Sequence, residues 1–139
     1  MNYSKHLIST SLISSLLISM ASFQVTAGDE YISKARAKTL YNAPLQGMAG
    51  KEMTVKHFSI PPNFVGGKHV HPGPVFVYVL EGEFSVMLSD GTKTFKAGEI
   101  YAEEIDSPMV AKNLSTSDDV ELLVFQVGDI GKPMMIKVD

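Results

Sequence analysis

The 139-residue sequence contains no cysteine, and this absence removes several classes of protein at once. It excludes a disulfide framework, a catalytic cysteine and lipid attachment through a cysteine near the N-terminus. The fold must therefore be stabilised by packing, by self-association or by a bound ion. Basic clusters are missing too, because the 12 Lys and Arg residues are scattered among 15 Asp and Glu residues. Without a row of cations to neutralise phosphates, nucleic acid is excluded as a partner.

The N-terminal segment lacks the ~20 apolar residues that a membrane-spanning helix usually needs. It has Lys5, then an uncharged apolar run from Leu7 to Met20, then the small-residue sequence Val25-Thr26-Ala27. This order predicts a signal peptide over residues 1–27, cleaved near Ala27, with export to the periplasm or the medium and no membrane attachment afterwards. A retained N-terminal anchor is the alternative, and the short apolar run disfavours it. Loss of Lys5 leaves 11 basic against 15 acidic residues, a net charge of −4.

A short helix is predicted after the cleavage site, from Asp29 to about Leu40. Asp29 can cap its start, and Lys34, Arg36 and Lys38 lie towards its C-terminal end, where cations interact favourably with the helix dipole. We assign residues 28–47 to this helix and a linker, and residues 48–139 to a single folded domain.

The rest of the chain consists of short β runs separated by turn residues, which predicts an all-β sandwich or barrel. The continuous apolar run Val75 to Leu80 predicts a strand buried on both faces. Gly82 indicates a bulge or tight bend, and the Asp90-Gly91 pair predicts a hairpin. The other predicted strands are Met53 to Ile60, Phe84 to Leu88, Thr94-Phe95, Ile100-Tyr101, Met109-Val110 and Val120 to Val127.

Two histidines, His69 and His71, are the residues most suggestive of chemistry. One residue separates them, so on a strand both side chains point to the same face and can converge on one transition-metal ion. A His-x-His pair alone is weak evidence, because structural or solvent-facing roles explain many such pairs.

The surroundings of the pair resemble the first motif of the cupin superfamily. A glycine at Gly66 or Gly67, the two histidines and the segment Tyr78-Val79-Leu80-Glu81-Gly82 fit that motif, and Gly98 to Asn113 resembles the second. The resemblance extends over roughly Met48 to Pro133. It implies a cupin-type double-stranded β-helix, or jelly-roll, barrel of the small single-domain exported kind.

The resemblance also implies a metal site that this sequence only half retains. Cupin sites generally add a glutamate shortly after the His pair and a histidine in the second motif. Here the glutamate position falls on Val75 or Phe76, the histidine position falls on Met109 or Pro108, and no histidine follows His71. Two imidazoles alone bind such an ion weakly, since a catalytic zinc site normally has three protein ligands.

Four residues are candidates to complete the site. One of Glu103 and Glu104 must face inward by strand alternation, although a position on the rim is the favoured interpretation. His57 lies on a strand of unknown orientation, and a surface role is favoured for it. Met109 offers a thioether that could hold Cu(I) together with the histidines, although core packing explains this residue more simply.

These observations support two functions, and they leave open a third, structural role in which the exposed β face makes a homodimer and the barrel holds nothing. The preferred hypothesis is an exported, degenerate cupin that forms a homodimer and binds a small molecule, and that holds a divalent or copper ion weakly through His69, His71 and Met109. The alternative is a metal-dependent cupin enzyme of the oxygenase, isomerase or lyase type, acting on a small organic substrate. Neither needs a nucleotide cofactor, because the sequence has no phosphate-binding glycine loop.

Overall fold

A computed structural model describes residues 35–139, and these residues form ten β-strands with no helix between them. Accordingly, residues 35–139 offer no helix that could cross a membrane. The strands are β1 (Arg36–Pro44), β2 (Lys51–Ile60), β3 (His69–Val70), β4 (Val75–Glu81), β5 (Glu83–Leu88), β6 (Gly91–Lys96), β7 (Ile100–Glu103), β8 (Val110–Lys112), β9 (Val120–Asp129) and β10 (Ile136–Lys137).

Two principal sheets enclose the core. The larger has the strand order β1-β2-β9-β4-β7 and the smaller the order β6-β5-β8, while β3 and β10 form a separate two-stranded ribbon. The neighbours in each sheet pair antiparallel. Val77 and Val124 of the larger sheet pack in one buried cluster with Phe84 and Val86 of the smaller sheet. This is the all-β, jelly-roll architecture that the sequence predicts.

The predicted N-terminal helix is wrong where it can be compared with the structure. Residues Arg36 to Leu40 belong to β1, which pairs with β2 from Arg36↔Ser59 to Pro44↔Glu52. Ladder hydrogen bonds to β2 outweigh the weak helix preference of this polar segment. The sheet therefore starts at Arg36 rather than at Met48. The predicted signal peptide and the first part of the predicted helix lie outside the described residues.

The apolar strand Val75 to Leu80 is buried on one face only, which corrects the prediction of burial on both. Its residues alternate, so that Val75, Val77 and Val79 are inside while Phe76 and Tyr78 are 45% and 37% exposed. The reason is topological: β4 lies between β7 and β9 in a single sheet, whose outer face no other element of residues 35–139 covers. Hydrophobicity alone did not reveal this arrangement, because the outward positions are apolar as well.

Both predicted turns are present, and the hairpin turn is shifted by one residue. Leu88 pairs with Gly91, which leaves Ser89-Asp90 as a two-residue hairpin turn, one position earlier than the predicted Asp90-Gly91. Gly82 separates β4 from β5 with φ +79°, and a Cβ there would lie 2.6 Å from the carbonyl oxygen of Asp119. Positive φ and this close approach together require glycine at the bend.

Candidate functional site

The two histidines lie on and just after β3. The backbone of His69 exchanges both hydrogen bonds with that of Met109, and Lys137 of β10 pairs with His69 on its other side. Strand alternation brings the imidazoles of His69 and His71 together, with ring centroids 5.0 Å apart and planes at 84°. Both side chains are buried. The two imidazoles are therefore close neighbours, and their joint binding of an ion remains a prediction.

The histidines open onto a cavity of about 300 Å³ inside the barrel. Most of its wall is apolar, and its polar side chains are few. The apolar part includes Phe58, Ile60, Phe64, Val77, Phe84, Leu122, Val124 and Met134, and the polar part comprises Lys56, His69, His71, Glu103 and Lys137.

Backbone carbonyls fix the tautomer of each imidazole. The Nδ1 atom of His69 lies 2.8 Å from the carbonyl oxygen of Gly67, and that of His71 lies 2.7 Å from the carbonyl oxygen of Met134. A carbonyl oxygen only accepts, so both Nδ1 atoms carry the proton. In the neutral form of each ring, Nε2 then carries the lone pair that can bind a proton, a ligand or an ion.

Glu103 of β7 meets His71 inside the cavity. Its Oε2 atom lies 3.0 Å from Nε2 of His71, and both side chains are almost fully buried. Burial raises the pKa of Glu103 to about 7. For His71, burial is the main cause that lowers the pKa to about 4, against a smaller raising effect of the hydrogen bond to Met134.

These shifts favour a neutral pair over an ion pair. No N–H or O–H group among residues 35–139 is aligned to donate to Oε2 of Glu103. A proton on Glu103 supplies the missing donor, because its O–H can then donate to the lone pair on Nε2 of His71. The arrangement is a protonated carboxyl facing a neutral imidazole, which is the form that low-dielectric surroundings favour.

Sequence reasoning missed two other participants, the side chain of Gln126 and the backbone carbonyl of Met134. Gln126 is buried on β9, and its Nε2 donates to the carbonyl oxygen of Met134 at 2.9 Å, the same oxygen that accepts from His71. This double acceptance ties the C-terminal segment to the site. A sequence signal for Gln126 did exist, since it follows Val120, Leu122 and Val124 at the inward-facing positions of an otherwise apolar strand.

The remaining sequence candidates lie elsewhere. Met109 is packed in the core with 1% of its surface exposed, and it is not on the cavity wall. Glu104 is exposed, whereas His57 is on the outer face of β2 with its Nε2 2.7 Å from Oε2 of Glu121. Of the candidates considered for completing the site, Glu103 is the one that reaches a histidine.

A metal ion finds two suitable donor atoms here rather than three, namely Nε2 of His71 and Oε2 of Glu103. His71 has its Nδ1–H on a carbonyl and its Nε2 directed at Glu103, the orientation that metal-binding histidines usually have. Yet residues 35–139 contain no group of three His, Cys, Asp or Glu side chains placed to hold one ion. These donors do not fit the three-ligand set of a catalytic zinc site.

Comparisons with known proteins identify the fold family. A family model described as the cupin domain matches residues 56–126, just over half of the chain. No curated protein matches this chain.

Three solved structures illustrate the likeness in fold. The polyketide cyclase RemF from Streptomyces resistomycificus is 20% identical, with a TM-score of 0.60 over 76% of this chain and 72% of that one. A cupin 2 domain-containing protein from Halorhodospira halophila is 18% identical, with a TM-score of 0.61 over 77% and 72%. The DMSP lyase DddQ from Ruegeria pomeroyi DSS-3 is 14% identical, with a TM-score of 0.64 over 85% of this chain and 61% of that one. These structures share the fold, and the match of the cupin-domain model to residues 56–126 shows that the chain belongs to the cupin superfamily.

Proposed function

We propose that this cupin binds a small, mainly apolar organic molecule inside its barrel. The observation that carries the proposal is the partly open cavity of about 300 Å³, with a mainly apolar wall and one buried polar pair, His71 and Glu103. Small-molecule sites have this character: most of the surface is apolar, and a few placed polar groups set the orientation. The volume is near the lower limit of such sites, ~300–1,000 Å³, which restricts the ligand to small compounds.

His71 and Glu103 orient the ligand's polar end. Because their donor and acceptor atoms already face each other, a ligand oxygen or nitrogen can insert beside them and exchange hydrogen bonds with both. Gln126 and the carbonyl of Met134 hold His71 in place from behind. The preorganised pair reduces the entropic cost of binding a polar group at this end of the cavity.

Filling the cavity tests the proposal. Ala111 lies on the cavity wall, whereas Ala97 is exposed after β6 and away from the cavity, so Ala111→Phe removes volume and Ala97→Phe is the matched control. We expect native mass spectrometry or a thermal-shift screen to find small organic ligands on the wild type and on Ala97→Phe, and none on a folded Ala111→Phe. Equal ligand binding by the two variants would contradict binding inside the barrel.

A metal-dependent cupin enzyme is the second candidate. The inward-facing Glu103 favours it, because this carboxylate gives a metal ion a second ligand beside His71, at a position that the cupin motifs do not mark. The neighbours named as a polyketide cyclase and a DMSP lyase are enzymes of the same fold. One fold supports many chemistries, however, and two donors do not make the usual catalytic set.

We also propose that the exported chain forms a homodimer through the outer face of β4 and β7. Phe76, Tyr78, Leu80 and Ile100 are all exposed there, with Ile100 at 63%. A contiguous apolar patch of this kind usually marks an interaction surface. Export itself follows from the signal-peptide prediction.

A further inference from the structure

Lys56 is an inward-facing cation in an otherwise apolar stretch of wall. It alternates along β2 with Phe58 and Ile60, and all three side chains line the cavity. The intervening residues His57 and Ser59 line a separate groove on the opposite face of the sheet. Lysine is seldom turned towards an apolar interior without a partner for its charge.

The other charges of the cavity leave Lys56 uncompensated. Lys137 pairs with His69, and its Cε would lie 3.8 Å from a Cβ on Gly67. Glu103 is the one carboxyl among the lining residues, and it is paired with His71. Within residues 35–139, neither lysine forms an ion pair. The cavity therefore has an excess of positive charge that an anionic ligand group would neutralise.

The strand register separates Lys56 from the polar pair of His71 and Glu103. Lys56 pairs with Val124, and Val124 pairs with Val77, which in turn pairs with Tyr101 of β7. Glu103 lies on β7 as well, two residues further along. Three inter-strand spacings of ~4.8 Å thus separate the backbones of Lys56 and Glu103, about 14 Å along the sheet. Between them the wall is apolar.

We propose that the ligand is a small organic carboxylate with an apolar middle and a second, hydrogen-bonding group at its far end. The carboxylate contacts the ammonium group of Lys56, and the apolar middle lies against Val124 and Val77. The far group reaches His71 and Glu103. This inference rests on the proposed function and defines its ligand class. It follows from the placement of Lys56 across an apolar wall from the neutral pair of His71 and Glu103, whereas Lys137 lies beside His69, at the same side as the pair.

Three eight-carbon probes test the two ends separately by isothermal titration calorimetry: octanoate, octanamide and 8-hydroxyoctanoate. We expect octanoate to bind about tenfold more tightly than octanamide, since a hydrogen bond to a charged group contributes about that factor. Lys56→Met should remove this preference while octanamide binding stays unchanged, and Lys56→Arg should preserve it. The terminal hydroxyl should add affinity, and Glu103→Leu should abolish that gain.

Lys38→Met is the matched control, because Lys38 lies beside the opposite groove and pairs with His57. It should leave all three affinities unchanged. Equal binding of octanoate and octanamide, or equal weakening of both by Lys56→Met, would overturn the carboxylate assignment while leaving a neutral-ligand cavity intact. A wild-type protein that binds none of the three would overturn the carboxylate assignment. If it also gave no hit in the small-molecule screen, the proposed function would fail with it.

Discussion

Replacing Glu103 by Gln should make the protein more stable above neutral pH, although the substitution removes a carboxylate beside a histidine. Burial raises the pKa of Glu103 from 4.5 to about 7. Between these values the unfolded chain releases the proton and the folded chain keeps it, so the contribution of Glu103 to the stability of the wild type falls as the pH rises. At ~1.4 kcal/mol per pKa unit, the loss amounts to about 3 kcal/mol by pH 8. Gln is nearly isosteric and cannot ionise, so the variant avoids this loss.

His71 contributes the opposite slope in the wild type. Its pKa is lowered from 6.5 to about 4, so the unfolded chain binds the extra proton and stability rises with pH between these values. The two effects largely cancel from about pH 4.5 to 6.5 in the wild type. Glu103→Gln uncovers the His71 effect, and the variant's stability should therefore rise over that window.

Urea denaturation at pH 4.5, 6 and 8, with a chelator present, measures both predictions. The free-energy difference between Glu103→Gln and wild type should grow from near zero at pH 4.5 to about 3 kcal/mol at pH 8. Glu104→Gln, at the exposed neighbouring position, should show no such trend. If Glu103→Gln is less stable than the wild type at pH 8, the pair is a stabilising ion pair and the neutral-pair reasoning is refuted.

Three further predictions concern the framework, the ion and the surface. Asn113→Ala should lower the free energy of unfolding by about 3 kcal/mol, because three carbonyls would lose the buried amide group that donates to them. A change below about 1 kcal/mol would contradict this role. Metal analysis of chelator-free protein should show substoichiometric metal that a His69→Ala/His71→Ala double variant loses, whereas full occupancy in the wild type would revive the enzyme hypothesis. Ile100→Lys should convert a dimer into a monomer in light scattering, and a monomeric wild type would refute the proposed interface.

The sequence was sufficient to predict the β architecture and the proximity of His69 and His71, because both depend on local patterns. Alternation by two brings His69 and His71 to one face whatever surrounds them. Turn chemistry at Asp90-Gly91 and at Gly82 likewise acts over a few residues. The signal-peptide, export and dimer predictions remain predictions.

Strand pairing decided the rest, because it joins residues far apart in the chain. It recruited Arg36 to Leu40 into β1, left one face of Val75 to Leu80 in solvent, and turned Glu103 rather than Glu104 inward. A shift of one residue in the register of β7 would exchange the two glutamates. Sequence alone determined which residues could carry chemistry in this protein. The tertiary structure determined which of them meet, since burial and register depend on every neighbouring strand at once.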